Sequence, residues 1–165
     1  MLYHARHYEE ALQQLDKTLE LDQNYAVTRW ILGLANRQLG RCGIAIAEGE
    51  KAATLSRDAP LTRSALAQTY ALAGRTDDAR IILKELKGFG SQRYVSPYFI
   101  AGIHAALQEN DSALDCLKSA YQQKSHWLLY LHFDPAMEQL RSDPRSQDLL
   151  DSIGLQVKLP PAVER

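Results

Sequence analysis

The chain is poor in most of the features that announce a catalytic or membrane protein. Only two of its 165 residues are cysteine, Cys42 and Cys116. Two thiols so placed form no metal-binding or redox spacing and no disulfide framework. Neither a Gly-x-Gly-x-x-Gly fingerprint nor a Gly-Lys-Ser/Thr phosphate loop is present, which removes the usual dinucleotide and nucleotide sites. No apolar run approaches the roughly 18–20 residues that a bilayer-spanning helix needs. Met1–Glu10 is polar and lacks the apolar stretch of a signal peptide. Charge of one sign is lacking too: 19 basic against 20 acidic residues leave a formal net charge of -1. Such a balance supplies no broad field to draw nucleic acid or anionic lipid. These absences point to a soluble protein of a reducing compartment, with the cytoplasm as the expected location, no membrane insertion and no direct nucleic-acid binding.

What remains is an ordinary folded composition, 45% hydrophobic and 24% charged, on a length that suits one compact domain or one short repeat array. Internal self-similarity decides between these. Alanines fall at Ala11, Ala45, Ala79 and Ala113, each 34 residues after the last. The same interval joins Gly33, Ala67 and Ala101, each preceded by an apolar residue (Leu32, Leu66, Ile100). It also links Leu15, Leu83 and Leu117, with Gly49 at the corresponding place, and Thr18, Ala52, Leu86 and Ala120. Four columns sharing one period define a repeat.

Within each copy, small and apolar residues recur at helical spacing and then break at a turn: Leu39-Gly40-Arg41 in the second copy, Ala73-Gly74-Arg75 in the third. Glycine ends a helix in the left-handed conformation that other residues avoid. After Gly74, Thr76-Asp77-Asp78 offers a capping hydroxyl and acidic residues for the amides that open the next helix. Asp58-Ala59-Pro60 and Ser96-Pro97 place proline in a first helical turn. The pattern predicts helices near 9–22, 26–39, 43–56, 60–73, 77–87, 97–108, 111–123, 135–142 and 145–153. Lys87-Gly88-Phe89-Gly90-Ser91 reads as a helix stop and a loose link into the fourth copy.

The 34-residue period, the apolar-Gly or apolar-Ala pairs, the mid-helix Tyr70, the Gly74 turn and the alanine columns resemble the tetratricopeptide repeat. The resemblance covers about residues 1–125: a partial first copy (1–25), then 26–59, 60–93 and 94–125. It departs from the family pattern at Asn36, where an aromatic is usual, at Gly49, where a large apolar residue is expected, and in lacking proline near each repeat end. It implies an all-α, right-handed superhelix of about three and a half helix-turn-helix units. A helical cap over 126–157 and a loose tail over 158–165 complete the reading, because a terminal repeat must have its apolar face covered. The run from Trp127 to Leu155 also looks like the ending of repeat regions in bacterial multidomain regulators. In those proteins the repeats follow DNA-binding, kinase or cyclase domains.

Candidate chemistry is sparse. His4 and His7 share a helix spacing but gather no third ligand, so no metal site is expected. His104 reads as a core ring, and Cys42 and Cys116 as buried structural thiols. His126, His132 and Asp134 flank an apolar segment, yet Ser125 and Ser142 lie in no nucleophile elbow. Catalytic residues, cofactor and metal are therefore all expected to be none.

The family resemblance implies a binding surface instead, since first helices of successive repeats line a groove in which peptides or helices lie. Carried over residue by residue, that groove takes Val27, Trp30, Leu34 and Arg37 from the second copy, Leu61, Ser64 and Gln68 from the third, and Val95 and Tyr98 from the fourth. The family's Lys/Asn clamp for a terminal carboxylate is missing, which leaves an apolar groove with Trp30 and Tyr98 as aromatic anchors. Packing of Trp30 and Tyr98 between neighbouring repeats is the competing expectation. Two functions follow: a protein- or peptide-binding module of a larger bacterial regulatory protein, or a structural module that homodimerises through its incomplete first copy.

Overall fold

The computed structural model describes residues 2–90 and 93–154. Among these residues every regular element is a helix and there is no strand. The α-helices are α1 (Tyr8–Leu21), α2 (Ala26–Gln38), α3 (Cys42–Leu55), α4 (Pro60–Leu72), α5 (Thr76–Gly88), α6 (Pro97–Ala106), α7 (Asn110–Gln122) and α8 (Pro144–Ser152). Two 3-10 segments, His126–Tyr130 and Pro135–Leu140, lie between α7 and α8. No helix is long and apolar enough to cross a membrane.

The sequence period reappears as geometry. Helices α1, α3, α5 and α7 start at Tyr8, Cys42, Thr76 and Asn110, and α2, α4 and α6 end at Gln38, Leu72 and Ala106, all in steps of 34. The link within each unit is the same left-handed turn. Arg6, Gly40, Gly74 and Gln108 have φ of 63°, 73°, 80° and 63°. In each turn the next residue's amide bonds back five residues: His7 to Leu2 O, Arg41 to Asn36 O, Arg75 to Tyr70 O and Glu109 to His104 O, at 2.8–3.1 Å. This closure satisfies the free carbonyls of a helix end. The segment before α1 therefore has the form of the last turn of a first helix, so that Tyr3 stands where Arg37 stands one copy later.

Helices pack as neighbours, α2 on α3, α4 on α5 and α6 on α7, with α4 also touching α3 and α6. Ala45, Ala79 and Ala113 are fully buried and Ala11 nearly so, because these are the points of closest helix approach. At Gly33 the approach is closer still: a Cβ there would meet the Ala45 carbonyl oxygen at 3.2 Å and the Gly49 amide nitrogen at 3.4 Å. Gly33 and Gly49 thus belong to one tight α2–α3 contact, and Gly49 is small because Leu66 of α4 fills the space a larger residue would occupy.

Several local expectations need correction. Thr76 is the first residue of α5 and not its cap; only Gly74 and Arg75 separate the turn from the helix, so Arg75 takes the capping position and no side chain caps there. The helix expected over 97–108 does start at Pro97, with the Ser96 hydroxyl accepting from the Tyr98 amide, but ends at Ala106. The helix expected over 135–142 is a 3-10 turn capped by Asp134, and His126–Tyr130, not predicted as helical, is another. Cys42 and Cys116 are half-buried, not enclosed. Expectations for Ser91 and for the tail from residue 155 onward fall outside the described residues.

Candidate functional site

The first helices of the units, α2, α4 and α6, face a cavity of about 290 Å³. Its other walls are α1 through Ala11, Gln14 and Leu15, the turn Leu2–His4, and the segment from Trp127 to Ala136. Seven of the nine groove residues expected from the sequence line it: Trp30, Leu34, Arg37, Leu61, Ser64, Gln68 and Tyr98. The other two do not. Val27 stands in the first turn of α2, 44% exposed and outside the cavity. Val95 precedes Pro97 and so lies before α6; it packs towards Ile100 and Leu86 in a separate cleft.

The cavity has an aromatic wall that the sequence reading assigned only to capping. Ring centroids run Phe99–Trp127 (4.9 Å), Trp127–Tyr130 (5.4 Å) and Tyr130–Phe133 (5.4 Å). The i, i+3 spacing of Trp127, Tyr130 and Phe133 suits a 3-10 turn, in which residues three apart eclipse. His4 then sets its ring edge-on to Phe133 at 5.0 Å and tilted against Tyr130 at 5.7 Å, and Tyr3 packs on His4 at 5.1 Å. Arg6 bonds Glu138 at 3.0 Å outside this stack. The first turn and the segment after α7 thus close on one another. Aromatic pairs at such separations favour edge-to-face contact beyond their buried area.

The polar groups are few and deeply placed. Arg37, 7% exposed, donates to Gln68 Oε1 at 3.2 Å, and Gln68 is held on its far side by the bare surface of Gly102. Arg37 forms no ion pair with any described residue. Tyr98 donates to Asp134 Oδ2 at 2.9 Å, while Asp134 Oδ1 accepts from the Ala136 amide at 3.0 Å. Arg141 donates to the Asp134 carbonyl. Burial, then the Asp134 carboxylate, pushes the Tyr98 phenol well above its ordinary pKa, so it remains a neutral donor. Burial likewise raises the Tyr3 phenol, against the lowering effect of the Arg37 guanidinium beside it. Burial lowers the pKa of His4, which favours its neutral ring.

Five buried side-chain polar atoms among the described residues make no hydrogen bond of good geometry: Tyr3 Oη, which nonetheless sits beside the Arg37 guanidinium, His4 Nδ1, Trp30 Nε1, Arg37 Nε and Ser146 Oγ. Four of the five belong to residues that line this one cavity. Buried polar groups are nearly always paired, so their concentration in one place is a property of the site.

Tyr3 is not among the residues expected at the site and His4 is considered only as a metal ligand, although the period carries a signal for Tyr3, which lies 34 residues before Arg37. Nothing local in the sequence marks Asp134 as the acceptor of Tyr98.

The other chemical candidates form structural networks. His104 is buried, with Nε2 3.0 Å from Lys87 Nζ and Nδ1 2.6 Å from Glu109, which Arg80 also holds at 2.6 Å. His7 stands at the N-cap position of α1 without a capping side-chain bond, and its ring pairs with Glu10. Ser125 pairs with Ser96 at 2.9 Å, and His126 stacks on Trp127. No group of three His, Cys, Asp or Glu side chains converges as metal ligands among the described residues. Compared with models of known protein families, with curated proteins and with solved structures, the chain matches none.

Proposed function

We propose that this chain is a non-catalytic binding module of the tetratricopeptide-repeat kind, serving a larger regulatory protein and receiving part of a partner polypeptide in its central cavity. Support for the repeat assignment comes from the shared period of sequence columns, helix starts and left-handed turns. The observation that carries the binding role is the gathering of Tyr3, His4, Trp30 and Arg37, each with an unpartnered buried polar atom, around one apolar space. An occupant that supplies hydrogen-bond partners to such groups gains the free energy of those bonds.

The size of the cavity narrows the mode of binding. A space of about 290 Å³, closed on one side by Leu2–His4 and on another by Trp127–Ala136, takes a few side chains and not a helix laid along the whole row. Occupancy is expected to be by insertion of an anchor residue, in the way that buried aromatic or charged anchors dominate interfaces.

The test is a pull-down of cross-linked partners with wild-type protein and with Leu34→Glu and Trp30→Glu, each shown to be folded by circular dichroism. A polypeptide captured by the wild type and lost from both variants supports the reading; capture that both variants retain sinks it. Self-association has one observation in its favour, the exposure of Leu21, Tyr25 and Val27 close together in the chain. A molecular mass that rises with concentration, and does so no longer in Leu21→Lys, would favour that alternative.

A further inference from the structure

We infer that the group received by this cavity is a carboxylate carried on an apolar body, with Arg37 as its counter-ion; the inference rests on the cavity being the binding site. Three features point the same way. First, the Arg37 guanidinium is almost wholly buried and has no acidic partner among the described residues. A buried charge is costly until it is paired, and a planar guanidinium suits a carboxylate best. Its Nε is one of the unpartnered atoms, and its Nη1 is spent on the neutral Gln68 side chain.

Second, the unpartnered atoms are donors. Arg37 Nε and Trp30 Nε1 can only donate, Tyr3 Oη can donate, and His4 Nδ1 donates in one tautomer. An occupant that satisfies them must therefore be rich in acceptors. The one carboxylate in the wall, Asp134, accepts from Tyr98 and from the Ala136 amide and makes no ion pair with Arg37.

Third, the rest of the lining is apolar or aromatic, with Leu34, Leu61, Phe99 and Trp127 facing the same space. The volume lies at the lower end of small-molecule sites, which suits a body about the size of an aromatic amino-acid side chain. Two sources supply this chemistry, a free arylalkyl or aliphatic acid and the carboxyl-terminal residue of a polypeptide.

The experiment uses 3-phenylpropionate against its amide, and an N-acetylated Gly-Gly-Phe peptide as free acid against its amide. Binding is followed by tryptophan fluorescence and thermal melting of the wild type, Arg37→Met, Arg37→Lys and Ala65→Phe. The acid form of one pair should bind about tenfold or more tightly than its amide, the scale expected of a charged hydrogen bond. The pair that shows the preference identifies the source. Arg37→Met should abolish the preference and, by removing an unpaired buried charge, raise the melting temperature of the empty protein; Arg37→Lys should retain part of the preference. Equal binding of acid and amide, with both lost in Ala65→Phe, would overturn the carboxylate while the cavity reading stands. Absence of any binding at millimolar probe, or binding that Ala65→Phe leaves intact, overturns the inference; in the second case the cavity reading fails with it.

Discussion

Tyr98, near the start of α6, donates its hydroxyl proton to Asp134, which also caps the 3-10 turn beginning at Pro135. One carboxylate thereby serves both the last helix pair and the segment that folds back over the cavity. Tyr98→Phe removes the donor and leaves Asp134 Oδ2 short of a bond. The expected loss is about 1.5–3 kcal/mol, the range for hydrogen bonds to charged groups. Urea unfolding should show a lower midpoint with an unchanged slope.

The alanine column sets a second expectation. Ala79→Leu places an extra isopropyl group at a fully buried helix crossing and should cost roughly 1–3 kcal/mol. Gly33→Ala tests the tighter α2–α3 contact, where the neighbours of the new Cβ are backbone atoms that cannot rotate away. Melting temperature is the readout, and both variants should fall below the wild type.

A gain is available at Gln108. It holds the left-handed conformation that Gly40 and Gly74 hold two copies and one copy earlier, with φ of 63°. Left-handed backbone is disfavoured for a residue with a Cβ, while glycine adds entropy to the unfolded chain; the balance favours Gln108→Gly by roughly 0.5–1 kcal/mol. Its exposed side-chain bond to Gln139 is a small loss against this. A higher denaturation midpoint is the expected result.

Stability should fall in acid through two glutamates. A hydrogen bond from His104 lowers the pKa of Glu109 below its ordinary value, and bonds from Arg80 add to this. Burial pushes Glu48 upward, but Lys51 and Arg29 together outweigh it and leave its pKa lowered. A carboxylate whose folded pKa is depressed stabilises the protein above its unfolded pKa and loses that contribution as pH falls through the folded value. The loss should therefore begin near the ordinary glutamate value of about 4.5 and deepen below it. Glu109→Gln and Glu48→Gln should each flatten the dependence of melting temperature on pH in that window.

Much of this architecture is legible in the chain because its determinants are local and repeated. Ala45, Ala79 and Ala113 mark helix crossings, Gly40 and Gly74 mark turns, and Pro60 and Pro144 mark helix starts, each through backbone or packing chemistry contained within one copy. Seven cavity residues follow from the groove geometry that the family resemblance implies. Val95, carried over from the same resemblance, fails because it lies before Pro97, where α6 begins. The closing contacts are a different matter. That His4 meets Phe133 and Arg6 meets Glu138 depends on the direction the chain has taken after three successive helix pairs. The packing of all the intervening helices sets that direction, and no spacing in the sequence encodes it.

The meeting of Arg6 and His4 with Glu138 and Phe133 changes how the molecule opens. In an open row of helix pairs the two ends fray independently, and amide exchange is fastest there. Here the turn Leu2–Arg6 and the segment after α7 clasp each other, so the two are expected to open together. Exchange at the amides of His7 and Asp134 should accordingly rise and fall together, as the two halves of one latch.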